Sequence, residues 1–144
     1  MTSVIRYILD TDHISLAQRG HPQVSARILA TPPEQIAITI VSVQEQMQGR
    51  LAQIQQIGDS AALIAAYRNL HQTLRFHRTV NVVDFDHEAS QVFAAFQKQK
   101  LRVGTLDLRI AAITVASQAT LVTRNIRDFQ HVPDLVLVDW SASI

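Results

Sequence analysis

A chain of 144 residues, 47% of them hydrophobic, can bury a core without covalent or metal staples, and it reads as one domain over residues 1–144. The absence of cysteine excludes a disulfide framework, cysteine catalysis and thiolate zinc. A formal net charge of +1 argues against a broadly basic nucleic-acid coat, and apolar runs too short for a secretory segment or a membrane span set a soluble, cytoplasmic protein as the expectation.

The apolar run Val4 to Leu9 predicts a buried strand, followed by Asp10-Thr11-Asp12 and a helix capped by Thr11 or Asp12. Pro22 suits the first turn of a second helix through about Leu29, which Thr31-Pro32-Pro33 stops. Ile36 to Val41 predicts a second strand, and Ser42-x-x-Glu45 has the form of a capping box opening a helix to about Ile57. A long helix from about Ala61 to Arg78 pairs with it as a hairpin. Val80 to Val83 predicts a third strand, Asp86 caps a helix to about Lys98, and Thr105 caps another that packs Ile110, Ala111, Ile113, Thr114 and Ala116 inward. Thr120 to Thr123 and Leu135 to Val138 complete four to five short strands, with Trp140 as a core or edge anchor. Buried strands alternating with helices imply an α/β fold, a three-layer α/β/α arrangement around a parallel sheet.

Three acids fall where strands end or helices begin: Asp10, Glu45 and Asp107. Each has a plain structural explanation, since caps and first-turn acids stabilise helix starts. Asp10 and Glu45 nevertheless both follow strands, and ligands of open α/β sheets sit outside the carboxyl ends of the strands. Carboxylates gathered there repel one another, and a hard cation such as Mg²⁺ offsets the repulsion. The segment Thr123 to Phe129 reaches the same edge, with Asn125 and Asp128 one helical turn apart. Arg50, Arg102, Arg109 and Arg124, with Lys98, Lys100 and Arg127, are the candidate phosphate contacts. The six histidines make no metal motif. They read as surface or packing residues, although His13 adjoins the acids.

Leu9-Asp10-Thr11-Asp12, Ser42-Val43-Gln44-Glu45 with Gly49-Arg50, Gly104-Thr105-Leu106-Asp107-Leu108-Arg109, and Leu121-Val122-Thr123-Arg124-Asn125 through Phe129, Val132-Pro133 and Trp140 together resemble the PIN-domain ribonucleases, specifically the VapC-like toxins of bacterial toxin–antitoxin pairs. The resemblance implies a metal-dependent endoribonuclease that hydrolyses RNA phosphodiesters with metal-activated water. Asp10 and Asp107 would be ligands of Mg²⁺ or Mn²⁺, with Glu45 joining directly or through water. Asp128 is the candidate fourth carboxylate, since Asn125 stands where the family often has an acid. Asp12 stands where the family commonly has Asn. Thr11, Asp12, Ser42 and Asn125 would orient the carboxylates or the water.

The resemblance also implies RNA as substrate, tRNA among the candidates, a small antitoxin protein as partner, and a homodimer. Apolar residues in Ala61–Tyr67 and Ala89–Phe96 offer surface for such contacts. Two rivals stand beside this reading. One is a degenerate RNA- or partner-binding module of the same fold, kept open by Asp12 and Asn125. The other is an aspartate-nucleophile phosphohydrolase, suggested by Asp10-x-Asp12 but lacking the later Gly-Asp-x-x-x-Asp motif.

Overall fold

Strands of three or four residues that are apolar on both faces can be stable only with helices on both sides. β1 (Tyr7–Leu9), β2 (Ile36–Thr39), β3 (Asn81–Val83), β4 (Thr120–Val122) and β5 (Val136–Val138) satisfy this in the computed structural model, which describes residues 4–56 and 58–142. They form one sheet in the order β3-β2-β1-β4-β5, every neighbour parallel. The helices are α1 (Thr11–Gln18), α2 (Pro22–Leu29), α3 (Ile40–Gln56), α4 (Ser60–Thr79), α5 (His87–Lys98), α6 (Thr105–Ala116) and α7 (Ile126–Phe129), with a 3-10 turn at Pro33–Gln35. The expected three-layer α/β/α arrangement with a parallel sheet is the one observed.

Alternation along the strands divides the core in two. Ile8, Ala37 and Leu121 face Phe96 of α5, Ile110 and Ile113 of α6, and Phe129 of α7. Leu9, Ile36, Ile38 and Val122 face Ile14, Val24 and Trp140, joined by Phe76 of α4. Strand order reverses about β1, whose neighbours are β2 and β4. The carboxyl ends of β1 and β4 therefore flank the switch point at which α/β sheets bind ligands.

Several helix starts differ from expectation. Asp10, not Thr11 or Asp12, occupies the cap of α1. Gly104, not Thr105, precedes α6. The expected Ser42-Glu45 capping box does not form, because β2 ends at Thr39 and Ser42 lies buried inside α3. The Thr39 hydroxyl accepts the Ser42 N–H instead, at 3.1 Å. Asp86 caps α5 as expected, accepting the Ala89 N–H at 2.9 Å. The far end of α3 reaches Gln56, and Ile57 lies outside the described residues.

α1 ends in a Schellman arrangement, with Gly20 at φ +75° and bonds from the Gly20 and His21 N–H groups to the Ala17 and Leu16 carbonyls. α6 ends the same way without glycine, since Gln118 takes φ +55° and the Gln118 and Ala119 N–H groups reach Val115 and Thr114. α3 and α4 form the expected hairpin, tied by Arg50 Nε donating to Thr73 Oγ1 at 2.9 Å. The outer face of this hairpin leaves Leu51, Ile64, Tyr67 and Leu74 exposed. Spare apolar surface is thus present on Ala61–Tyr67. In Ala89–Phe96 the first and last residues are buried in the core, so that segment offers less than expected.

Phe129 is fully buried although its helix has four residues, and it anchors the Asn125–Asp128 turn to the core. Replacing a buried Phe by Ala typically costs about 3–5 kcal/mol. We expect Phe129→Ala to lose stability in that range by urea denaturation, with chemical-shift changes that extend to Thr123 and Asn125.

Candidate metal centre at the carboxyl edge of the sheet

Asp10 sits at the junction of β1 and α1. Its backbone N–H joins the sheet through the Val122 carbonyl at 2.9 Å, and its carbonyl accepts the His13 and Ile14 N–H groups at 3.0 Å. The backbone thus performs the capping, and the side chain makes no capping bond. That carboxylate, 5% exposed, accepts instead from Thr123 Oγ1 of the segment after β4, at 2.8 Å. Thr123 Oγ1 in turn accepts the Asn125 N–H at 3.0 Å. Burial first, then the neighbouring Asp12, push Asp10 up to about 7; the Thr123 hydroxyl and Thr11 N–H pull it back, and Asp107 adds a further upward push.

Asp12 is held from two sides. Its Oδ2 accepts the Arg124 N–H at 3.1 Å, and its Oδ1 lies 2.8 Å from His13 Nδ1. His13 is fully buried, and its Nε2 accepts the Trp140 N–H at 3.2 Å. An acceptor at Nε2 assigns the proton of the neutral ring to Nδ1, so His13 donates to Asp12. Asp139 Oδ1 also approaches Nε2, at 3.4 Å. Burial raises Asp139, but the Ser141 hydroxyl and N–H, with Arg124 adding a weaker pull, bring it net below the usual range. Of the histidines, His13 is the one that sequence reasoning undervalued, because its partner at Trp140 is remote in the chain.

Glu45 projects from α3. Its carboxylate accepts from Thr11 Oγ1 at 2.9 Å, and Ser42 Oγ lies 2.9 Å from the same hydroxyl. A hydroxyl has one proton; with Thr11's spent on Glu45, Ser42 supplies the second bond. Asp107, in the first turn of α6, is half-buried, and its carboxyl is raised by burial, then by Glu45, Asp128 and Asp12. Hydrogen bonds bring Asp10 and Asp12 together at Thr123 and Glu45 to Thr11, and Asp107 feels Glu45, Asp128 and Asp12. Asp128 is exposed and Asn125 half-buried, with no capping bond from the Asn125 side chain. Among the described residues, no group of three or more His, Cys, Asp or Glu side chains is placed to hold a metal ion.

The cations distribute unevenly. Arg124 lines a cleft with Asp12 and Asn125, and Arg50 lines another with Glu45 and Thr11. Arg102 shares a third with Arg127 and Asp128. Arg109 stacks over the Phe93 ring at 5.4 Å. Two positions from Asp107 on a helix, it is turned about 200° away, so the structure does not bring it to the acids. Arg19, passed over in the sequence, lines the clefts of both Asp12 and Glu45. Gly20 immediately after it was the available signal, a helix terminator that marks where α1 ends.

Because the folded Asp10 holds its proton up to about 7 against an ordinary 3.8, the folded state binds more protons than the unfolded chain between those values. Stability of the cation-free protein therefore falls as pH rises through that window, by on the order of a few kcal/mol, and stays lower above it. Calorimetry is expected to show that fall, and Asp10→Asn to remove most of it and melt higher than the parent above neutrality. Equal melting of the two proteins there would contradict the burial argument. Thr123→Val removes a bond to the ionised form, so a carboxyl NMR titration is expected to place Asp10 higher still.

No family model matches the chain. It is 28% identical over 138 residues to Ribonuclease VapC2 of Rickettsia felis, covering 93% of this chain and 97% of the relative. It is 22% identical over 141 residues to the tRNA(fMet)-specific endonuclease VapC of Salmonella typhimurium, covering 95% and 99%. Solved structures agree in fold. The VapBC2 complex of Rickettsia felis bound to a promoter DNA fragment superposes with a TM-score of 0.71 at 25% identity, covering 94% of this chain and 99% of that one. DNA-bound VapBC of Salmonella typhimurium gives 0.76 at 23% identity, covering 95% and 99%. In sequence and in fold, over nearly its whole length, the chain is VapC-like.

Proposed function

We propose that this chain is a divalent-cation-dependent endoribonuclease and the toxin of a toxin–antitoxin pair. The single observation that carries the reading is the buried Asp10 carboxylate at the carboxyl end of β1, sharing the Thr123 hydroxyl with Asp12, while Thr11, the next residue, holds Glu45 of α3. Similarity to proteins named VapC ribonucleases supplies the reaction class.

The donor set fits Mg²⁺ or Mn²⁺. It is all oxygen, and the raised Asp10 and Asp107 carboxyls are the groups that nearby positive charge would return to the ionised state. Mg²⁺ is usually held by one or two carboxylates, with waters and substrate phosphate completing the shell, so a closed protein cage is not needed. Asp10 and Asp107 would hold it, with Glu45 direct or through water. Bound there, such an ion offsets the crowded negative charge, lowers the pKa of a water and polarises a phosphoryl oxygen.

The chain's own residues supply order. Thr123 fixes Asp10, Thr11 fixes Glu45, and His13 fixes Asp12, each through a bond of 2.8 or 2.9 Å. Asp128 supplies the fourth carboxylate beside Asp107, and Asn125 orients the turn that carries it. Arg50 and Arg124 face the incoming phosphates. Water attacks phosphorus in line, the P–O3′ bond breaks, and the 3′ oxygen takes a proton, leaving a 5′-phosphate and a 3′-hydroxyl. The exposed apolar residues of α3 and α4 offer ground for the antitoxin or a second copy of the chain, in keeping with the VapBC complexes among the similar structures.

Purified protein incubated with tRNA and Mg²⁺ is expected to cut it, and the cuts are expected to vanish with EDTA. Asp10→Asn should reduce the rate by more than the roughly 10–100-fold that follows loss of an outer partner of a metal ligand, and His13→Gln by about that amount. Cleavage that survives chelation or Asp10→Asn would overturn the mechanism. Products ending in cyclic phosphate would overturn the choice of water as nucleophile.

A further inference from the structure

The acidic edge opens into a polar cleft of which the cleavage chemistry uses only Arg50. It measures about 510 Å³ and lies between α1, α3 and α4, with Gln18, Arg19, Arg50, Asn69, Gln72 and Phe76 among its walls. Arg50 and Arg19 also line the cleft of Glu45, and Arg19 continues into that of Asp12 and Asn125. The three hollows therefore share walls.

Their chemistry is specific in kind. Among the described residues no carboxylate lies within ion-pair distance of Arg19 or Arg50. Arg50 is oriented all the same, through Thr73 at 2.9 Å and Gln53 at 3.5 Å. Gln18 is spent on Gln46 in two bonds of 3.0 and 3.3 Å and forms a fixed wall. Asn69 and Gln72 make no side-chain hydrogen bond within the described residues, which leaves two amides free to pair with a base edge. The volume falls in the range of small-ligand pockets and admits a nucleotide, and Phe76 lines one wall. A peptide would find few apolar anchors here but two cations lacking counter-ions.

Resting on the ribonuclease reading, we propose that this cleft is a nucleotide-recognition subsite. It takes an unpaired base flanking the cleavage point against Asn69 and Gln72 and the adjoining phosphates on Arg19 and Arg50. By fixing a neighbouring nucleotide, it selects which phosphodiester reaches the acids. Single-stranded RNA is the substrate form this requires, because only unstacked bases can be turned into such a cleft.

The test uses Asn69→Ala, Gln72→Ala and Arg19→Gln in two backgrounds. In the Asp10→Asn protein, binding of fluorescein-labelled oligo-A, oligo-C and oligo-U is measured against salt, with an RNA duplex as control. Loss of either amide is expected to weaken the preferred oligomer by roughly tenfold while narrowing the differences among the three. Arg19→Gln is expected to weaken all three alike and to flatten the log–log salt dependence by about 0.7. With otherwise wild-type protein, mapped cleavage of tRNA should spread to new positions in the two amide variants.

Unchanged affinities and an unchanged cleavage map, in variants that melt like the parent, would overturn the subsite while leaving the ribonuclease reading intact. Base-dependent binding without cleavage of any RNA would support the cleft and sink that reading. Variants that bind and cut RNA normally but lose an antitoxin protein would reassign the cleft to a protein partner and overturn the proposal.

Discussion

Holding several carboxylates at one partly buried edge is the constraint on which the rest of this structure depends. Each such group resists ionisation when desolvated, and each neighbour adds repulsion. Asp10 carries the largest share of that burden, with its proton retained to about 7. No lysine or arginine relieves it by an ion pair among the described residues. The surrounding fold must therefore be stable enough to tolerate an edge that opposes it. Two apolar layers on a sheet buried on both faces meet that need.

The same constraint explains why neutral donors surround the acids. A cation held permanently against Asp10 would settle its charge. Hydroxyls, backbone N–H groups and a neutral imidazole orient a carboxylate while leaving its charge largely uncompensated. Thr123, Thr11, Arg124 N–H and His13 are such groups, one or more for each of Asp10, Glu45 and Asp12. The arginines stand one step back, lining the hollows that lead to the edge.

Much of this was legible because it is local. Asp10 follows an apolar run, Glu45 and Asp107 fall early in amphipathic segments, and alternating strands and helices set the parallel sheet. What escaped depends on distance or on signals that point the wrong way. The apolar run Ile36–Val41 continues past the end of β2, so Ser42 looked like a cap and Thr39 did not. Gln118 adopts the left-handed conformation that sequence reading assigns to glycine. Arg109 looked available until Phe93 of another helix met it, and Arg19, exposed at the end of α1, lines the clefts of Asp12 and Glu45 because α3 packs beside α1. His13 could not be understood without Trp140.

That last contact has a consequence for the order in which the chain is made. Asp10, Asp12 and His13 leave the ribosome early, but the groups that set them, Thr123, the Arg124 N–H and the Trp140 N–H, are synthesised more than a hundred residues later. β1 itself lacks its β4 neighbour until then. An unfinished chain thus carries the acids without their geometry. The edge is complete only once β4 and β5 have docked, so the geometry of its first acids is set by the last part of the chain to be made.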